Sequence, residues 1–174
     1  LLKEVVEGGG MDDHSLLGRV VAAFESAGLE VLPYAALLGD SLAPEGHIAG
    51  RPPSAGEMED VEVGRKVLSA ILPLSFGQGV VVARGAVVAV EAMEGTDAMI
   101  RRAGRLCRVG GWTMVKVARS KQDMRFDVPT VGPETIRNLK DAKCVCLVLE
   151  TGKTLIVDKP STLALADKLK LAVI

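Results

Sequence analysis

The chain has 174 residues, 48% hydrophobic but only 3% aromatic, enough for a buried core but with little to stack on nucleic-acid bases. Its 21 Lys and Arg nearly balance 22 Asp and Glu, so no overall field recruits nucleic acid or an anionic membrane. The apolar residues are mostly Val, Leu, Ala and Ile, which suits an α/β protein whose strands are covered on both faces.

The opening LLKEVVEGGG lacks the pattern of a signal peptide, and a start at Leu1 without Met reads as a fragment. MDDHSLLGRVVAAFESAGLEVLPY follows as helix, turn and strand. Asp12, Asp13 or Ser15 can cap the helix, Leu16, Leu17, Val20, Val21 and Phe24 form its stripe, and Gly28 stops it. Leu29 to Leu32 then predict a short strand. GRPPSAGEMED, residues 50–60, reads as a linker. Within it Ser54 and Glu57 make a capping-box pattern that opens a helix running to about Leu72.

GVVVARGAVVAVEAME predicts two Val-rich strands turning at Arg84-Gly85. A helix starts near Thr96 or Asp97 and ends around Gly104, and WTMVKVA is another strand. Pro133 suits the first turn of the helix PETIRNLKDA. CVCLVLE and TLIVD are strands joined at Thr151-Gly152-Lys153, followed by the helix PSTLALADKLK and a last strand, LAVI. Alternating strands and helices from Gln78 onward predict a compact α/β domain. Cys107, Cys144 and Cys146 are too few and too oddly spaced for a disulfide framework or zinc site, which suggests the cytosol. Alternation places Cys144 and Cys146 on one face of a buried strand as core thiols.

Two windows concentrate polar residues. In EAMEGTDAMIRRAGR, residues 91–105, Glu94, Thr96 and Asp97 fall where a strand gives way to a helix N-terminus. Free N–H groups there favour an anion, and Gly95 allows close approach to the backbone. In the plainer reading Thr96 or Asp97 is an N-cap, Glu94 complements the dipole, and Arg101, Arg102, Arg105 and Arg108 are a solvated face.

In QDMRFDVP, Asp123, Arg125 and Asp127 alternate with Met124, Phe126 and Val128. In a straight strand the two aspartates would lie about 13 Å apart, too far to share one magnesium ion. Either the segment bends before Pro129, or one aspartate binds metal while the other orients Arg125, or the three form a salt-bridge network. Lys116 and Gln122 add a phosphate contact and a neutral hydrogen-bonding group. No P-loop, GxSxG or HExxH motif is present, and GGG at residues 8–10 lacks Rossmann spacing. His14 and His47 lie outside the α/β domain, His14 in a helix first turn and His47 in a loop. Carboxylates with Arg and Lys suit metal-assisted handling of phosphate.

GQGVVVARGAVVAVEAMEGTDAMIRRAGRLC, MVKVARSKQDMRFDVPTVGPETI and GKTLIVDK together resemble the C-terminal catalytic domain of the LpxI-type UDP-2,3-diacylglucosamine pyrophosphatases, over residues 76–174. GGMDDHSLLGRVVAAFESAGLEVLPY resembles the end of that family's N-terminal Rossmann-like domain, and GRPPSAGEMEDVEVG its linker helix. The resemblance divides the chain into a remnant of that domain (1–49), a linker and helix (50–75) and a mixed-sheet catalytic α/β domain (76–174). It implies a Mg²⁺-dependent hydrolase of lipid A biosynthesis in Gram-negative bacteria, which splits UDP-2,3-diacylglucosamine into UMP and 2,3-diacylglucosamine 1-phosphate. Carried over by motif, Asp123, Asp127 and Arg125 are catalytic. Glu94, Gly95, Thr96, Asp97, Lys116 and Gln122 bind substrate, and Asp123, Asp127 and Asp97 hold the metal. The implied partner is a UDP-linked diacylated sugar, with no nucleic acid; the implied location is cytoplasmic, with weak association to the inner membrane through the lipid substrate. A homo-oligomer is compatible with this. The competing readings are a non-catalytic module binding a nucleotide-sugar or acyl ligand, and a scaffold whose charged strand face meets a partner subunit.

Overall fold

A computed structural model describes residues 13–33, 37–74, 77–118, 125 and 128–174, with backbone alone for 13–16. The described elements are α1 (Asp13–Ser26), a 3₁₀ turn (Gly39–Ser41), α2 (Ala55–Ile71), a 3₁₀ turn (Leu72–Leu74), β1 (Gly79–Ala83), β2 (Ala86–Val90), α3 (Gly95–Leu106) and β3 (Trp112–Lys116). Then come β4 (Thr130–Val131), α4 (Pro133–Asp141), β5 (Cys144–Leu149), β6 (Leu155–Ile156), α5 (Lys159–Leu169) and β7 (Ala172–Val173). The mixed α/β class is as the sequence predicts.

Local signals place several boundaries. Ser54 and Glu57 form the reciprocal capping box at the start of α2: the Glu57 N–H donates to Ser54 Oγ at 3.3 Å and the Ser54 N–H to Glu57 Oε2 at 2.8 Å. Arg84 and Gly85 both take positive φ, at 51° and 76°, the conformation of a two-residue hairpin turn that matches the twist of its strands. Buried Asp60 of α2 braces that turn, accepting from the Arg84 N–H at 3.2 Å and the Gly85 N–H at 2.7 Å.

The main sheet runs β2-β1-β3-β5-β7, antiparallel through β3 and parallel from β3 to β7. On one face Val61 and Leu68 of α2 pack on Val80, Val82, Val115, Cys146 and Val148. On the other, Met99, Ile100 and Ala103 of α3, Ile136 and Leu139 of α4 and Ala166 of α5 join Trp112, Met114, Cys144 and Leu147. The sheet is therefore covered on both sides, as its Val-rich strands require.

Three expectations change. Cys144 and Cys146 are both buried but on opposite faces. Trp112 and Thr113 are opposed by Cys144 and Cys146, leaving Val145 as an extra, bulged residue that reverses the alternation. TLIVD shortens to Leu155–Ile156, which pairs in parallel with β4 in a separate two-stranded sheet. Residues 29–33 form no strand; the Leu29 N–H instead closes the end of α1, donating to the Phe24 carbonyl at 3.0 Å. No helix among the described residues is long and apolar enough to cross a membrane.

Candidate active site

In an open α/β sheet the carboxyl ends of parallel strands are where ligands are received. Lys116 is the last residue of β3 and only 4% exposed. Alternation turns it to the face carrying α3, and its Nζ donates to Thr96 Oγ1 at 2.7 Å. The Thr96 hydroxyl donates in turn to Glu91 Oε1 at 2.8 Å. A hydroxyl has one proton, so the order Lys116 to Thr96 to Glu91 fixes its direction. Glu91, just past β2, is 5% exposed, and its Oε2 has no hydrogen-bond partner among the described residues. That oxygen lies against the Gly79 backbone, where an added Cβ would meet it at 2.7 Å. A side chain at position 79 would displace the carboxylate and unseat the relay.

The α3 N-terminus stands over this relay. Glu94 makes no side-chain cap. Neither Thr96 nor Asp97 acts as the cap that the plainer sequence reading assigns: Thr96 is spent on the relay, and Asp97 Oδ1 accepts from Asn138 Nδ2 of α4 at 3.3 Å. Gly95 holds φ at +76°, a left-handed conformation that any other residue adopts only with strain. Glu94, Gly95, Thr96, Asp97, Ala98, Arg101, Thr130 and Thr135 line a cavity of about 360 Å³. Glu94 pairs with Arg102, which also donates to the Val90 carbonyl at 2.8 Å. The Arg102 hydrogen bond holds the Glu94 carboxyl below its usual range. Beside Lys116 at the strand exits, Glu150 accepts from the Ala118 N–H and pairs with Lys153, both at 2.7 Å.

Five of the residues singled out in the sequence thus meet: Glu94, Gly95, Thr96 and Asp97 around one cavity, and Lys116 beneath it. Arg125 lies in a turn, not a strand, and its Nη1 reaches Glu25 Oε1 of α1 at 2.5 Å. Gln122, Asp123 and Asp127 lie outside the described residues. Glu91, Asn138, Thr130 and Thr135 were not anticipated. Only Glu91 carried a signal, as a charged residue that ends the Val-rich run AVVAV. Among the described residues no group of three His, Cys, Asp or Glu side chains converges to hold a metal. Asp97 nonetheless faces the cavity, and a carboxylate that meets solvent suits magnesium, which keeps several of its waters.

Residues 44–174 match the model of the LpxI C-terminal domain. The chain belongs to the LpxI family. It is 37% identical over 170 residues to the UDP-2,3-diacylglucosamine pyrophosphatase LpxI of Caulobacter vibrioides, covering 93% of this chain and 60% of that protein. The match takes in β1 to β7 and every described residue of the candidate site.

Proposed function

We propose that the chain carries the catalytic half of a UDP-2,3-diacylglucosamine pyrophosphatase of lipid A biosynthesis. Water adds across the pyrophosphate bond, giving UMP and 2,3-diacylglucosamine 1-phosphate. The observation that carries this reading is the buried Lys116, held by Thr96 beneath the α3 N-terminus, in a chain of this family. The Lys116 ammonium and the uncapped N–H groups of α3 meet phosphate oxygens, whose negative charge both favour. Glu91 holds the Thr96 hydroxyl, and through it Lys116, in one orientation. Glu94 and Gly95 shape the cavity rim, with Glu94 clamping Arg102.

On this reading Asp97 is one magnesium ligand and Asp123 and Asp127 supply the others, with Gln122 and Arg125 at the substrate. Bound magnesium would offset pyrophosphate charge and lower the pKa of a bound water. The domain boundaries at residues 49 and 75, the cytoplasmic location and the Gram-negative setting belong to the same proposal.

The test follows UMP release from UDP-2,3-diacylglucosamine by the protein extended to its relative's full length, with magnesium, with EDTA and with Asp123→Asn. Release that needs both magnesium and Asp123 is expected. Undiminished substrate binding without release would instead make the site a nucleotide-sugar binding module.

A further inference from the structure

The far end of α3 presents a different surface. Arg105, Leu106, Arg108 and Val109 follow one another around the helix terminus, and Lys143 approaches from the α4–β5 turn. Leu106 is 62% exposed and Val109 77%, although both could have been polar at no cost to the core. Arg101, Arg105 and Lys143 line a cavity of about 420 Å³ with Asn138 and a single acid, Asp141. Among the described residues, the guanidinium groups of Arg101, Arg105 and Arg108 make no hydrogen bond or ion pair. In a chain of net charge −1 this corner is locally basic and locally apolar.

The corner is also held in shape. Lys143 Nζ donates to the Arg108 carbonyl at 2.7 Å, the Gly111 N–H to the Lys143 carbonyl at 3.0 Å, and Trp112 Nε1 to the Ala142 carbonyl at 3.0 Å. Cations at a helix C-terminus do complement its dipole, but that accounts for the arginines and not for the two bare aliphatic side chains between them.

We propose that this corner is a docking surface for an anionic lipid bilayer. Leu106 and Val109 enter the headgroup boundary, while Arg105, Arg108 and Lys143 meet lipid phosphates. Two further observations favour lipid over the alternatives. Trp112, the aromatic beside the patch, is fully buried, leaving nothing for bases to stack on. A protein partner would need roughly 800 Å² from this side, far more than five side chains offer.

The proposal is independent of the hydrolase reading and is tested without turnover. The full chain is sedimented with vesicles of phosphatidylcholine, and with vesicles in which about a third is phosphatidylglycerol. Binding to the anionic vesicles alone is expected, falling at least about tenfold between about 50 mM and about 500 mM salt. Arg105→Glu with Arg108→Glu should lower low-salt binding at least about tenfold. Leu106→Ser with Val109→Ser should lower it about fivefold with every charge retained, which a purely ionic attachment would not show. All four positions are exposed, so thermal melting should report folded variants. Absence of binding to anionic vesicles at low salt, or binding indifferent to both double variants, overturns the proposal. So does capture of a single-stranded oligonucleotide that the charge reversals abolish while vesicles stay unbound.

Discussion

Two buried acids sit on opposite sides of the main sheet and are treated in opposite ways. Asp60, on the α2 side, is 3% exposed, and both its carboxylate oxygens accept backbone N–H groups from the β1–β2 turn. Glu91, on the α3 side, is 5% exposed, yet one oxygen accepts from Thr96 and the other has no partner among the described residues. A buried carboxylate that only braces the fold is saturated, because each unmade hydrogen bond costs about 1–3 kcal/mol. One left half-satisfied beside a buried lysine stores that cost, the pattern expected of a functional site rather than of a brace. On the proposed function, the α2 side is the structural face and the α3 side the working one.

The largest effect that would test this contrast is on turnover. Lys116→Met should lower UMP release by about a hundredfold, as loss of a transition-state donor does, while the melting temperature stays within a few degrees. A large stability loss with turnover per folded molecule intact would make Lys116 structural. Asp60→Ala should do the reverse: it leaves two hairpin N–H groups unpaired and destabilises by about 2 kcal/mol. Chemical denaturation reads that loss, and activity per folded molecule should not change.

Glu91→Gln is the intermediate case. It keeps the shape and an acceptor for Thr96 but removes the charge, so about a tenfold fall in kcat is expected, with KM and stability nearly unchanged. Unaltered kcat would reduce the relay to a packing feature.

The smallest effect is in acid. Burial raises the Glu57 carboxyl, but hydrogen bonds from Arg51 and Ser54 more than offset this and leave it below the usual carboxylate range. The folded state therefore holds the Glu57 proton less tightly than the unfolded chain. Its contribution to stability is complete above about pH 4.5 and is lost as pH falls through the lower folded value. Glu57→Gln should remove that part of the acid dependence and leave Asp60's turn in place. An unchanged profile in urea titrations below pH 5 would show the Arg51–Glu57 pair to be idle.

Much of the fold was legible wherever the signal lies within a few neighbouring residues. The capping box at Ser54 and Glu57, the Arg84-Gly85 turn and Pro133 at the first turn of α4 all stand where expected. The residues of the EGTD window do line one cavity, although neither Thr96 nor Asp97 serves as the helix cap. Thr96 is engaged by a side-chain bond from a lysine 20 residues away, and not as a cap. Glu91 was hard to see because a lone acid at a strand end is ordinary in sequence; only burial makes it unusual.

Caps, turns and apolar periodicity are properties of contiguous residues, so they carried the α/β class, most element positions and the two polar windows. Which strands become neighbours, and which face each residue takes, depends on contacts between distant parts of the chain. The Val145 bulge therefore parted Cys144 from Cys146, β6 chose β4, and the carboxyl end of β3 brought Lys116 beneath Thr96 and Glu91. Those pairings depend on contacts between residues far apart in the chain, and no local pattern encodes them.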